Sequence, residues 1–297
     1  MMDWDKLRIF HSVAEAGSFT HAGDVLNLSQ SAVSRQISAL EESLRVPLFH
    51  RHARGLILTE QGELLYRTAH EVFGKLAMAE AQLTESKDRP RGLLKVTTTV
   101  ALGSTWLAPR MTEFLEVYPE IELCLILTDL ELDLSMREAD IAIRLSPPRQ
   151  ADLIQRHLLT THMHLYASPG YLKRYGLPRT PAEIDGHRTI VYSEDARPPV
   201  PGVNWLLELG RGNNDQREPA MTINNVYAIL RAVQSGAGLG ALPSFMVQGM
   251  NDLVAVLPEI DGPQIDAYFV YPEELRHSKR ISVFRDFLLR KVAESKF

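Results

Sequence analysis

Ser31, Ser34, Arg35 and Ser38 fall on one face of a helical repeat that Gln30 opens, and their chemistry is that of nucleic-acid recognition. Small hydroxyls, a carboxamide and one guanidinium on a narrow face can enter a major groove about 12 Å wide and reach base edges and phosphates. The opposite face carries Val33, Ile37, Leu40 and Leu44 at spacings of four, three and four, a single buried stripe. Just beyond come Arg51 and Arg54, with His50 and His52, before Gly55 and the apolar run Leu56-Ile57-Leu58. Arginines at a hairpin tip beside such a helix reach phosphates or the minor groove. The bland alternative is a surface helix that is merely rich in serine.

Catalytic chemistry finds no comparable pattern. Gly236, Gly238 and Gly240 are spaced by two but lack the third spacing of a dinucleotide fingerprint. No Gly-x-Ser-x-Gly elbow and no phosphate-loop lysine motif occurs. His50 with His52, and His162 with His164, each share a strand face, but no third ligand lies near in sequence, so neither a metal nor a cofactor is expected. Cys124, the only cysteine, sits in Ile-Glu-Leu-Cys-Leu-Ile-Leu and reads as a small buried hydrophobe. An enzyme is therefore not the expectation.

The elements that must position the reading face are legible around it. Ser18 and Ser29 each stand one residue before a helical pattern, where a side-chain oxygen caps free amides. The short helix between them is expected to turn Ala22, Val25 and Leu26 inward. Thr59 can cap a long following helix, with Glu60 in its first turn. Along it Leu65, Ala69, Val72, Leu76, Ala79 and Leu83 recur at four, three, four, three and four, a 3.5-residue seam. That seam predicts a coiled coil; an amphipathic helix lying on its own domain would also carry it. Residues 86–92, with Pro90 and Gly92, read as a hinge.

From Leu93 onward the pattern is α/β. Strands are expected at 93–98, 121–127, 140–144, 162–167 and 265–270. Helices are expected at 106–118, with Leu107, Met111, Phe114 and Leu115 inward, and near 169–175, 225–234 and 279–294. The alternation predicts mainly parallel sheets.

The residues Leu7-Arg8-Ile9-Phe10, Gly17-Ser18-Phe19-Thr20, Ser29 to Ile37, Pro47-Leu48-Phe49 and Leu58-Thr59-Glu60-Gln61-Gly62 resemble the DNA-binding domain of LysR-type transcriptional regulators. The likeness runs on to Val270-Tyr271-Pro272 and Phe284 to Leu288, and is nearest to the branch of rhizobia and Brucella relatives that holds VtlR and LsrB. Ser31, where many members carry proline, and Gly23, where alanine is usual, depart from the pattern. The resemblance implies a mixed fold: an N-terminal winged helix-turn-helix (1–59), a linker and dimerisation helix with hinge (60–91), and a two-lobed α/β effector domain like a type 2 periplasmic binding protein (92–297). Lobe I would be 92–160 with 265–297, and lobe II 161–264, the chain crossing near 157–161 and returning near 262–265.

In such a fold a small ligand sits between the lobes, beyond strand ends and against helix N-termini. Thr98, Thr99, Leu102, Thr128, Arg144, Ser193 and Asn225 stand at those places. Hydroxyls and free amides could hold a carboxylate or amino acid, and Arg144 could pair with it. Arg144 could equally form a surface ion pair, and the threonines could simply favour strands. The partners implied are double-stranded promoter DNA, a small-molecule effector, RNA polymerase and a second or fourth copy of the chain. A ligand-free oligomerisation scaffold remains an alternative for the C-terminal half.

Composition suits this reading. The chain has 297 residues, 45% hydrophobic, which is ample for two domains. No apolar run is long enough for a membrane span, and the acidic start Met1-Met2-Asp3-Trp4-Asp5 is unlike a signal peptide, so the expectation is a cytoplasmic protein. Bulk charge is no argument for DNA, since the net charge is −5 and residues 1–91 hold 11 Lys and Arg against 12 Asp and Glu. Affinity must come from a focused patch: between Leu28 and Leu58 four arginines face only Glu41 and Glu42.

Overall fold

The structure is a computed structural model that describes residues 3–52, 55–84, 89–147, 153–196, 198–212 and 215–295. The chain divides into two compact units, Met1–Leu83 with Ser135–Arg137, and Thr84–Leu134 with Glu138–Phe297.

In the first unit, α1 (Trp4–Ala16) starts at Asp3, whose carboxylate accepts from the Asp5 amide, and closes on Gly17 in the left-handed region. Ser18 caps α2 (Phe19–Leu26) by accepting from the His21 amide, and Ser29 caps α3 (Gln30–Leu44) by accepting from the Ala32 amide at 3.2 Å. Phe10, Val13, Ala22, Val33, Ile37, Leu40 and Leu48 form the core. Val25 does not join it; its side chain is 73% exposed. Phe19, Ala22, Gly23 and Leu26 share the inward arc of α2, and Val25 lies outside that arc on a helix of only eight residues. Gly23 is inward because the chain doubles back on it: a Cβ there would stand 2.6 Å from the Leu28 carbonyl oxygen.

The hairpin β1 (Phe49–His52) and β2 (Gly55–Leu58) follows, with Phe49 opposite Leu58 and His52 opposite Gly55. Thr59 donates its hydroxyl to the Pro47 carbonyl and accepts from the Gly62 amide, capping α4 (Glu60–Thr84). The seam residues of α4 divide between two environments. Leu65 and Ala69, with Tyr66 and Phe73, pack into the core of their own unit. Val72 and Leu76 are exposed in the single chain. The reading as an amphipathic helix thus describes the first turns of α4, and the exposed stripe begins at Val72.

The second unit holds a nine-stranded sheet in the order β4-β3-β5-β11-β6-β9-β7-β8, with β10 also paired to β6. Its strands are β3 (Gly92–Thr98), β4 (Ile121–Leu127), β5 (Ile141–Arg144), β6 (Leu153–Ala167), β7 (Thr189–Tyr192), β8 (Met221–Ile223), β9 (Leu239–Pro243), β10 (Val254–Val256) and β11 (Gln264–Pro272). β3 is parallel to β4 and β5, and β7 is parallel to β8 and β9. The long strands β6 and β11 pair antiparallel with each other and with their neighbours. The sheet is therefore half antiparallel, because each of the two strands that cross between lobes runs against its own neighbours. β6 begins at Leu153, earlier than the expected His162. It pairs with β11 as far as His162 and with β9 from Met163.

A continuous helical run links β3 to β4: α5 (Val100–Leu102), a widened turn (Gly103–Leu107), a tight turn (Ala108–Arg110) and α6 (Met111–Val117). Leu107, Met111, Phe114 and Tyr118 face the core. Leu115 flanks that stripe and is exposed, against expectation. Cys124 is half-buried on β4, an edge strand. Three further helices complete the second unit and a short one follows β9: α7 (Pro169–Tyr175), α8 (Val226–Gln234), α9 (Ser244–Val247) and α10 (Lys279–Glu294). No helix of the described residues is long and apolar enough to cross a membrane.

Candidate DNA-reading surface and candidate effector cleft

Gln30, Ser31, Arg35 and Ser38 are exposed on α3 and Ser34 is half-buried beside them, while Val33, Ile37 and Leu40 are fully buried on the other face. The amphipathic split that places the stripe inward therefore presents the polar row outward. The Ser31 hydroxyl lies 3.1 Å from that of Ser29, so the departure from proline ties the first turn of α3 to its own cap. Arg54 lies outside the described residues, as does the side chain of Arg51; the backbone of Arg51 pairs with Leu56 in the hairpin.

Glu41, one of the two acidic residues that oppose the arginine patch, also anchors the wing. A carboxylate oxygen of Glu41 accepts from the amides of Leu48 at 2.7 Å and Phe49 at 3.3 Å. Charge-assisted bonds of this kind are the strong class. They fix the start of β1 to α3, and with it the direction of the wing.

In the second unit a cleft of about 780 Å³ opens between the ends of β3, β4 and β5 on one side and β7 and α8 on the other. Thr98, Thr99, Thr128, Arg144 and Asn225 line it; Leu102 and Ser193 do not. Leu102 is fully buried in the core, because the turn after Thr99 points it beneath the sheet. Ser193 follows β7, and its amide is used by the Ile223 carbonyl.

The lining groups are already engaged. Thr98 donates its hydroxyl to the Ile143 carbonyl at 3.0 Å, the Thr99 hydroxyl accepts from the Leu102 amide, and that of Thr128 accepts from the Leu130 amide. Arg144, with a side chain only 10% exposed, donates to Glu131 at 2.5 Å and to the Leu132 carbonyl at 2.6 Å. Both partners line the cleft, with Arg144 nearly buried and Glu131 exposed. The Asn225 carbonyl oxygen caps α8 by accepting from the Ala228 amide, while its amide group donates to Asp129 at 3.0 Å.

Asp129, which no local sequence pattern marks, is central to the cleft. One carboxylate oxygen accepts from the Val100 amide at 3.1 Å, at the start of the α5 run, and the other accepts from Asn225. A single carboxylate thus occupies the anion position at a helix start and bridges the two sides of the cleft. Its charge is felt by Tyr192, whose hydroxyl is pushed above the ordinary tyrosine range first by burial and then by Asp129.

Comparison with known proteins agrees with this geometry. Residues 4–63 match the family described as bacterial regulatory helix-turn-helix protein, lysR family, and residues 87–293 match the LysR substrate binding domain. An HTH-type transcriptional regulator of Xanthomonas campestris pv. campestris is 34% identical, over 98% of this chain and 86% of its own. The solved structure of CrgA, a LysR-type transcriptional regulator from Neisseria meningitidis, covers 98% of this chain and 99% of its own at 30% identity and TM-score 0.62. The full-length Vibrio cholerae virulence activator AphB covers 97% of this chain and 99% of its own at 27% identity and TM-score 0.63. The narrower likeness to VtlR and LsrB finds no support among these relatives. With a matched helix-turn-helix on one unit and a matched substrate-binding fold on the other, this chain belongs to the LysR family of transcriptional regulators: it is a DNA-binding regulator and not an enzyme.

Proposed function

We propose that this regulator reads a two-part operator in the cytoplasm as a homodimer, or a homotetramer of such dimers, and is switched by an amino-acid-like effector held between the lobes of its second unit. We assign 1–59 to DNA reading, 60–91 to the linker and hinge, and 92–297 to effector binding, with lobe II spanning 161–264. Gln30, Ser31, Ser34, Arg35 and Ser38 would contact bases and phosphates, and Arg51 and Arg54 the adjacent backbone or minor groove. The exposed stripe of Val72 and Leu76 supports pairing of α4 with a second copy, which sets two reading heads a helical turn or more apart.

The observation that carries the effector reading is Asp129, spanning the cleft beside Arg144. A plain carboxylate would meet Asp129 and Glu131 as like charges, and would have to detach Arg144 from Glu131. An amino acid supplies both signs. Its ammonium would pair with Asp129, and its carboxylate would take the remaining donors of Arg144 and the hydroxyls of Thr99 and Thr128. Binding that favours one spacing of the lobes would shift the arrangement of subunits, and so the half-site spacing, the bend in the DNA and the contact with RNA polymerase.

The test is thermal stabilisation of the full-length protein by a panel of amino acids, set against the matching amines and the matching acids without nitrogen. A specific ligand raises the melting temperature by mass action. An amino acid that stabilises more than either half-molecule supports the reading. Stabilisation by the nitrogen-free acids alone overturns the amino-acid class, and a panel without effect favours a ligand-free scaffold.

A further inference from the structure

A second cluster of ligating groups lies in the first unit, apart from the reading face and from the cleft. His11 and Glu15 share a face of α1 at an i,i+4 spacing, and His70 reaches the same point from α4. The His11 Nε2 and His70 Nδ1 atoms are 2.8 Å apart. The Glu15 carboxylate stands 3.5 Å from His11 Nδ1 and 3.9 Å from His70 Nδ1. One nitrogen from each ring and one carboxylate oxygen lie within 4.8 Å of one another.

His11 turns one ring nitrogen to His70 and the other to Glu15, so three groups able to ligate a cation meet around one imidazole. The surroundings are those of a built site: Tyr66 stacks on His11 at 5.5 Å and Phe73 stands 5.0 Å from it, so an aromatic wall covers one side. Access is from the other side, where Glu15 is 51% and His70 25% exposed.

We propose that His11, Glu15 and His70 form a zinc site that fastens α1 to α4. Two imidazoles and one carboxylate, with water in the fourth place, are an established donor set for Zn²⁺. Bonds of about 2.0–2.1 Å in a tetrahedron put ligand atoms about 3.3 Å apart; one ligand atom from each residue already lies within 4.8 Å of the others, and turning the His11 ring and the Glu15 carboxylate would close that gap. The hydrogen bond between the two rings is the metal-free closure of the site, and the incoming ion takes its place. Zinc there would stiffen the joint between the DNA-reading unit and its own linker helix, since one ligand sits on the helix that carries the seam and two on the helix that backs α3.

The experiment uses the full-length protein, stripped with chelator and titrated with Zn²⁺ by calorimetry, with Co²⁺ as the visible-absorption probe of tetrahedral geometry. The expected result is one Zn²⁺ per chain and a Co²⁺ ligand-field band. Losing even an outer-shell partner weakens a metal site by roughly 10–100-fold, so His70→Ala and Glu15→Gln should each lower affinity by at least about tenfold. Both side chains reach solvent, so these variants should fold, and the melting temperature of the metal-free protein checks that. A His50→Ala/His52→Ala control should bind as the parent does. Absence of stoichiometric binding, or loss that follows His50 and His52 in place of His70, overturns the proposal.

Discussion

Replacing Asp129 with asparagine tests a carboxylate that joins the two sides of the cleft. In the parent, each of its oxygens accepts a hydrogen bond from a neutral donor, the Val100 amide at 3.1 Å and the Asn225 side chain at 3.0 Å. Hydrogen bonds to a charged partner contribute about 1.5–3 kcal/mol each, and half-exposure places these at the lower end. Asparagine keeps one acceptor oxygen but turns an amide group toward the other donor. One bond is lost, the other loses its charge, and the cost is about 2 kcal/mol. For a unit of this size 1 kcal/mol moves the melting temperature by about 2–4 °C, so Asp129→Asn should lower the transition of the second unit by about 4–8 °C. Scanning calorimetry of the full chain reads this. A second readout is independent of stability. The Tyr192 hydroxyl stands above its ordinary value partly through the negative charge of Asp129, so removing that charge favours the phenolate and its pKa should fall. A difference titration of tyrosine absorbance, variant against parent, follows it. A melting temperature within 1 °C of the parent on the order of measurement error, with an unmoved Tyr192, would refute the bridge.

Glu41→Ala should free the amides of Leu48 and Phe49, at about 2 kcal/mol or roughly a 30-fold rise in their hydrogen exchange, whereas Glu41→Gln keeps an acceptor and should exchange much more slowly; equal exchange in all three proteins would exclude the wing anchor. Leu76→Glu places a charge on the exposed stripe of α4 and should shift the dimer toward monomer in sedimentation without lowering the melting temperature of the first unit; an unchanged dimer would remove α4 from the interface. Gly62→Ala should destabilise the first unit by several degrees in a thermal scan, because the new Cβ would lie 2.1 Å from the Leu48 carbonyl oxygen, a backbone atom that cannot swing aside; wild-type melting would contradict that packing.

The reading helix was legible because every signal for it is local. Ser29 caps within three residues, and Val33, Ile37 and Leu40 repeat often enough to fix the buried face. Val25 was not, because a helix of eight residues has two turns and its rotation is set by what packs against it. The same holds for Leu115 at the flank of a stripe running through Leu107, Met111 and Phe114. Strand directions eluded the pattern, since alternation reports neither parallel nor antiparallel pairing and β6 looks like any strand until β11 lies beside it. In the cleft, Thr128 and Asn225 stood out as a strand end and a helix cap. Asp129 has no local signature at all: its meaning arises when donors at positions 100 and 225 meet it. Glu41 looked like a charge to be subtracted, and became an anchor only once Leu48 folded back onto it. His11 and His70 are 59 positions apart and meet only where α4 crosses α1.

Whether α3 reads sequence is decided by comparing two proteins on two DNAs. Purified full-length parent and Arg35→Ala would be titrated by fluorescence anisotropy, at one fixed salt concentration, against DNA from upstream of the gene and against random DNA of equal length. The parent should prefer the upstream DNA and footprint it as two half-sites in helical phase. Arg35→Ala should lose about 1–3 kcal/mol on the upstream DNA alone, leaving random binding in place. Equal binding of both DNAs by parent and variant would exclude base reading by Arg35.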